Sequence, residues 1–158
     1  MRFDCNSSGE NMSTEKVMVS GSTTATEAFF EKYYVPKLEQ FVRENAAFLV
    51  GGARGVDQMT QQYLIDVGYE PSKVTVVDKG EQDNRLSKAF SHQNGFDSYP
   101  KRDAWMTAHS TVDVATVCQY GGGGSGTFAN LLRRQLDDAT ARRVQKLFRN
   151  NAEAYETK

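Results

Sequence analysis

Two glycine-rich turns, each directly after an apolar run, constrain the fold of this chain more than any other feature. They lie in AFLVGGARGVDQ, residues 47–58, and in VATVCQYGGGGSGTFAN, residues 114–130. Each segment has the pattern of a strand, a tight turn and the start of a helix. In an open parallel sheet such turns lie at the carboxyl ends of the strands, where backbone N–H groups can face an anionic ligand. The pattern therefore predicts a binding edge at those strand ends.

Strand and helix patterns alternate along the rest of the chain. Short apolar strands are predicted at 17–20, 48–50, 73–77 and 112–118. Helical patterns separate them at 26–45, at 56–67 before Gly68, and at 104–108. Pro36 lacks a backbone N–H, so the first helix should break near Tyr34 and Val35. This alternation predicts an α/β fold, a Rossmann-like open parallel sheet of four to five strands with helices on both faces.

The chain of 158 residues fits one principal domain with polar ends. Residues 1–15 carry few aliphatic side chains, which predicts a disordered tail, and leave Met1 and Met12 open as translation starts. The domain is expected over 16–136, followed by an amphipathic helix over 137–158. The long polar segment 78–99 is interpreted as a mobile lid or rim.

Charge and cysteine content exclude several classes of protein. A formal net charge of −1 gives no basic face, so nucleic acid is not an expected partner. Cys5 and Cys118 form no disulfide framework, and His92 and His109 have no second ligand at metal spacing, so no metal site is predicted. No apolar run approaches the roughly 18 residues of a membrane helix, and a cytoplasmic protein without a membrane partner is expected.

The first turn combines backbone freedom with two charged side chains. Gly51 and Gly52 leave no Cβ in the way of a ligand. Arg54 offers a fork of donors suited to phosphate, although a solvated surface arginine is the alternative interpretation. The sequence leaves two roles open for Asp57, a cap on the helix start or an acceptor for a ribose hydroxyl. Residues 21–23, Gly-Ser-Thr after the first strand, would form a third wall of the site.

The second turn carries five glycines within 121–126, which is more than ordinary turn formation requires. Ser125 and Thr127 add hydroxyl groups at the start of the next helix, and together they predict a cradle for an anion. A flexible connector is the alternative interpretation. No Gly-Lys-Ser/Thr ending of a P-loop follows either turn, and no acidic residue stands where a dinucleotide fingerprint needs one.

Three short stretches in this order resemble the motifs of the SLOG superfamily: Gly51 to Asp57, Arg102 to Met106, and Gly123 to Thr127. The superfamily joins DprA/Smf, the LOG phosphoribohydrolases and small nucleotide-sensing Rossmann-like domains, and the chain is most similar to the small stand-alone members. The resemblance implies that a nucleotide or an ADP-ribose-like ligand binds at the glycine turns. No other cofactor is implied.

The chain departs from the LOG pattern at the residues that would carry hydrolysis. Phe128, Ala129 and Asn130 follow Thr127 where LOG hydrolases have glutamates, and the Arg-Lys pair of that family is Arg102-Asp103 here. Binding or sensing of a nucleotide is therefore favoured over catalysis. An N-glycosidic hydrolase or deoxyribosyltransferase-like enzyme using Asp57 or Asp103 is the alternative, and DprA-like binding of single-stranded DNA is the second alternative.

The complete ligand site predicted from these motifs is Gly21, Ser22, Thr23, Gly51, Gly52, Ala53, Arg54, Asp57, Arg102, Gly122, Gly123, Gly124, Ser125, Gly126 and Thr127. An aromatic cluster at Phe29, Phe30, Tyr33 and Tyr34 exceeds one helical face, which predicts a homodimer or a higher homo-oligomer. Trp105 is interpreted as a core residue, with stacking on a purine as the alternative.

Overall fold

The computed structural model describes residues 15–80, 87–117, 126–137, 139–141, 143–144 and 146. Three predictions fall largely on other residues. The tail over 1–15 is described only at Glu15, and Gly122, Gly123, Gly124 and Ser125 of the second turn lie outside the described residues. The described positions between 139 and 146 are helical, so the predicted terminal helix is seen only at its start.

The sheet contains five described strands, and every neighbouring pair in it is parallel. The strands are β1 at Lys16–Ser20, β2 at Ala47–Gly51, β3 at Val74–Val77, β4 at Ser91–Gln93 and β5 at Val112–Ala115. Their order across the sheet is β4-β3-β2-β1-β5. The predicted α/β class with an open parallel sheet is confirmed.

Besides the helical positions between 139 and 146, five helices accompany these strands in the described part of the chain. They are α1 at Glu27–Tyr33, α2 at Val35–Arg43, α3 at Val56–Asp66, α4 at Tyr99–Ala108 and α5 at Gly126–Gln135, with a short 3-10 turn at Pro71–Lys73. The break between α1 and α2 falls at Tyr34 as predicted, because Pro36 is tolerated only in the first turn of a helix. None of these described helices is long and apolar enough to cross a membrane.

The interpretation of 78–99 as a lid or rim is wrong for two parts of that segment. Ser91–Gln93 forms β4, which pairs with β3, and α4 already begins at Tyr99. The backbone N–H of Asp78 donates to the carbonyl of Gln93 over 2.9 Å, which ties the start of the segment to the end of β4. The predicted strand at 112–118 is also shorter, since the residues at 116 and 117 lie beyond its last paired residue, Ala115.

Side chains of the strands alternate between two packed faces. One face packs β1, β2 and β3 against the first three helices, with Phe30, Leu38, Val56 and Leu64 buried among strand valines. The other face packs Met18, Leu49 and Val77 against Met106 of α4. Trp105 packs on this second cluster, in agreement with its interpretation as a core residue, and its ring stacks on His109 with centroids 4.1 Å apart.

The order of the strands creates a switch point beside β1. The chain proceeds outward from β1 through β2 and β3 to β4, and then returns to place β5 on the opposite side of β1. In open α/β sheets the crevice for a ligand forms outside the carboxyl ends of the strands at such a point. The fold therefore directs attention to the ends of β1, β2 and β5.

Tyr34 joins two of these strand ends across the switch point. Its hydroxyl donates to the carbonyl of Ser20 at the end of β1 over 2.8 Å, and it accepts from the backbone N–H of Thr116 just after β5 over 2.9 Å. The side chain is fully buried. One hydroxyl thus serves as the hydrogen-bond partner of a carbonyl at the end of β1 and of an amide just after β5.

Candidate functional site

A cavity of about 670 Å³ opens at the carboxyl ends of β1 and β2, between α3, α4 and the start of α5. Eleven residues that the sequence analysis had singled out line it: Gly21, Ser22, Thr23, Gly51, Ala53, Arg54, Asp57, Arg102, Asp103, Gly126 and Thr127. Gly52 is buried beside it but does not line it. The volume lies within the roughly 300–1,000 Å³ that is typical of small-molecule sites.

Three buried charged side chains lie together at the inner end of this cavity. Arg102 and Asp103 come from α4 and Asp57 from α3, and their exposed fractions are 8%, 7% and 5%. Nε and Nη2 of Arg102 both donate to Oδ1 of Asp103, over 2.9 and 2.8 Å. The salt bridge of Arg102 is therefore made to its neighbour on the same helix, while Asp57 interacts with the guanidinium through its charge alone.

Gly51, the last residue of β2, is what lets Asp57 and Arg102 approach the strand end. A Cβ at this position would overlap Oδ2 of Asp57 and would lie 3.1 Å from Nη1 of Arg102. Gly51 was predicted to leave room for a ligand, whereas the groups that occupy this space are the protein's own side chains.

Asp57 has an unusual proton affinity because it is buried. Desolvation raises the pKa of its carboxyl group from 3.8 to about 6, and the nearby charge of Arg102 lowers it only in part. Asp103 and Asp78 add a smaller upward effect on the same pKa. A carboxyl group with this pKa can gain or lose a proton close to neutral pH, which is a property of candidate acid–base groups.

Two backbone donors at the first glycine turn are used within the protein. The N–H of Ala53 donates to Oδ2 of Asp57 over 3.2 Å, and the N–H of Val56 donates to the carbonyl of Ser22 over 3.1 Å. Gly55 has a positive φ of 73°, and a Cβ there would overlap the backbone of Ser22 and Thr23. Asp57 therefore caps this turn, and the turn already carries a carboxylate where the sequence analysis placed a ligand anion.

Two residues that line the cavity each carry a buried side-chain atom with no partner among the described residues. The atoms are Oγ of Ser20, at the end of β1, and Nη1 of Arg102. Ser20 is 8% exposed, like Arg102. Buried donors are normally paired, so two unpaired ones on one cavity indicate a place where a bound molecule supplies the missing partners.

The local structure of α4 places Arg102 at the cavity. Ser98 caps the helix by accepting from the backbone N–H of Lys101 over 3.3 Å. Arg102 then lies one turn into the helix, where its guanidinium carbon is 4.9 Å from the centre of the Tyr99 ring. Tyr99 is half exposed and lines the cavity mouth.

The start of α5 forms the opposite wall. Gly126, Thr127 and Asn130 line the cavity, and a Cβ on Gly126 would lie 3.7 Å from Oδ2 of Asp103. Arg134 fixes the orientation of this helix from its other end. Its guanidinium makes two 3.0 Å hydrogen bonds to the carboxylate of Asp113 on β5.

Part of the cavity lining was not predicted from the sequence. Ser20, Thr24, Tyr99 and Asn130 line the cavity and were not predicted. Ser20 and Thr24 flank the predicted Gly-Ser-Thr wall, and Asn130 lies one helical turn after the predicted Thr127. The helical period was therefore an available signal for Asn130, whereas a tyrosine at a helix start carries no comparable signal.

Within the described residues no group of three His, Cys, Asp or Glu side chains is arranged to hold a metal ion. No protein-family model, curated protein or solved structure matches this chain.

Proposed function

We propose that the protein binds a nucleotide or a nucleotide-derived ligand in the cavity at the strand ends. The observation that carries the proposal is a cavity at the carboxyl ends of parallel strands, beside the switch point, in which two lining residues, Ser20 and Arg102, each carry a buried side-chain atom without a described partner. Cavities at this place in open α/β sheets are the usual sites of nucleotides. The volume of about 670 Å³ suffices for a ligand of that size.

The outer part of the cavity offers groups for a phosphate. Arg54 is exposed at the rim, and Thr23, which is also exposed, adds a hydroxyl to the cavity lining. The fork of donors on an arginine favours phosphate oxygens. The prediction that the glycines before Gly126 also contact the phosphate concerns residues outside the described part of the chain and stays a prediction.

The test is thermal unfolding of the full chain with nucleoside mono-, di- and triphosphates, ADP-ribose and cyclic nucleotides. A ligand at about 100 times its Kd stabilises the folded state by about 2.7 kcal/mol, which raises the midpoint measurably. Arg54→Ala should weaken the binding of the responding nucleotide by roughly tenfold. Arg43→Ala is the matched control, since Arg43 is equally exposed but lies on α2 and does not line the cavity. A panel without any response at millimolar ligand would refute the proposal.

A second candidate function, cleavage of an N-glycosidic bond, is favoured by one observation. The cavity holds a carboxyl group with a pKa of about 6, Asp57, together with a second carboxylate, Asp103, which is salt-bridged to Arg102. Carboxyl groups in such different environments can divide the roles of acid and base. Release of free base from nucleoside monophosphates, followed by chromatography, tests this activity, and Asp57→Asn should abolish it.

We also propose that the protein forms a homodimer or a higher homo-oligomer. Phe30 and Tyr34 are buried in the domain, whereas Tyr33 is 40% exposed and packs on half-buried Phe29 with ring centroids 4.8 Å apart. The exposed part of the predicted aromatic cluster is thus confined to this pair. Light scattering coupled to gel filtration, with Tyr33→Glu as the comparison, tests whether the pair supports a homodimer.

A further inference from the structure

The inner end of the cavity, which we define by Ser20, Asp57 and Arg102, contains hydrogen-bonding groups that are not all paired within the protein. Nη1 of Arg102 is a donor that lacks an acceptor among the described residues, and Oγ of Ser20 lacks any partner there. The carboxylate of Asp57 accepts one described hydrogen bond, from the N–H of Ala53, and has further acceptor capacity. A ligand group at this end must therefore accept from the guanidinium and donate to the carboxylate.

The charges at this end are unfavourable for a phosphate. Asp103 already takes two of the donors of Arg102, so the positive charge is paired before any ligand arrives. Asp57 adds a second carboxylate to the same buried group. An anion placed here would meet two carboxylates and one cation, and burial from water would leave the repulsion poorly screened. The ligand group that fits is uncharged.

A hydroxyl group meets both requirements, because it accepts one hydrogen bond and donates another. Two neighbouring hydroxyls can satisfy Nη1 of Arg102 and Oγ of Ser20 while one of them donates to Asp57. We propose that the inner end of the cavity binds the vicinal 2′- and 3′-hydroxyls of a ribose, so that the ligand enters sugar first and keeps its phosphate toward Arg54. This inference rests on the proposed binding of a nucleotide and adds that the site selects ribonucleotides.

The first experiment measures dissociation constants by titration calorimetry for the four ribonucleoside 5′-monophosphates and for their 2′-deoxy and 2′,3′-dideoxy counterparts. Loss of both hydroxyls should weaken binding by tenfold or more, because it leaves buried groups without partners. Equal affinities of ribo- and dideoxynucleotides would overturn the inference while leaving nucleotide binding intact. Absence of binding by every nucleotide would remove the proposed function, and this inference with it.

The second experiment locates the recognition. Ser20→Ala should weaken the ribonucleotide several-fold and leave the dideoxynucleotide unchanged, and Asp57→Asn should likewise reduce the ratio between the two ligands. Thr60→Val is the matched control, because Oγ1 of Thr60 is also buried without a described partner but Thr60 does not line the cavity. An undiminished preference for ribose in both cavity variants would place the recognition elsewhere and overturn the inference.

Discussion

The raised pKa of Asp57 makes the stability of the protein depend on pH in a direction that can be worked out. The carboxyl group has a pKa of about 6 in the folded protein and 3.8 when it is unperturbed. The folded state therefore holds the proton more tightly, and the stability associated with it is complete below about pH 3.8 and is lost as the pH rises through about 6. The difference between these two pKa values, at about 1.4 kcal/mol for each pH unit, corresponds to a decrease of about 3 kcal/mol in the free energy of unfolding.

Asp57→Asn removes the loss of stability that comes from burying a charged carboxylate. The amide stays neutral at every pH, and its oxygen can still accept from the N–H of Ala53. We expect the variant to be more stable than the wild type by about 1 kcal/mol near pH 4.5 and by about 3 kcal/mol near pH 7.5. At the higher pH the midpoint of thermal unfolding should rise by about 6–12 °C for a chain of this size.

The assay is urea unfolding of both proteins at several pH values across this range, and the quantity of interest is the difference between their free energies of unfolding. Taking the difference removes the contribution of the other carboxyl groups to the pH dependence, because they titrate in both proteins. Asp66→Asn is the control, since Asp66 is an exposed carboxylate at the end of the same helix. Parallel curves for Asp57→Asn and the wild type, or a variant that is less stable at neutral pH, would refute the reasoning.

Three further substitutions test the packing around the cavity. Tyr34→Phe leaves a buried carbonyl and a partly buried amide without their shared partner, so unfolding in urea should show a loss of about 1–3 kcal/mol, while Tyr33→Phe should stay within about 0.5 kcal/mol of the wild type. Gly51→Ala places a methyl group against the carboxylate of Asp57 and should cost about 1–3 kcal/mol in the same assay; an unchanged midpoint would contradict the described approach. Arg134→Met should cost about 3–5 kcal/mol by leaving Asp113 unpaired, and adding Asp113→Asn should restore part of that stability, as measured by calorimetry.

The sequence was informative where local rules decide the structure. The strands β1, β2 and β3 are apolar runs between polar segments, and the break at Tyr34 follows from the geometry of Pro36. The sequence did not predict β4, because Ser91–Gln93 is a polar strand of three residues at the edge of the sheet. Such a strand is held by pairing with β3 and needs no apolar pattern of its own.

The candidate site was predictable only in its parts. Asp57, Arg102 and Asp103 all fell within motifs, yet nothing in their separate segments indicates that Arg102 pairs with Asp103 and that its Nη1 stays without a described partner. That arrangement depends on how α4 crosses the strand ends, which is a property of packing between distant segments. Ser20 carried no signal at all, since a serine at the end of a strand is common.

The hydroxyl of Tyr34 has a consequence for how a molecule can enter the cavity. By holding the ends of β1 and β5 through a side chain packed among the first three helices, it fixes the spacing of the two strands before any ligand arrives. The end of β1, which continues into the cavity lining at residues 20–24, is then held in place by the protein itself. Adaptation to the shape of a ligand is left to exposed side chains such as Arg54 and Tyr99. We therefore expect the site to discriminate more strongly between ligands that differ where they contact the end of β1 than between ligands that differ at the rim.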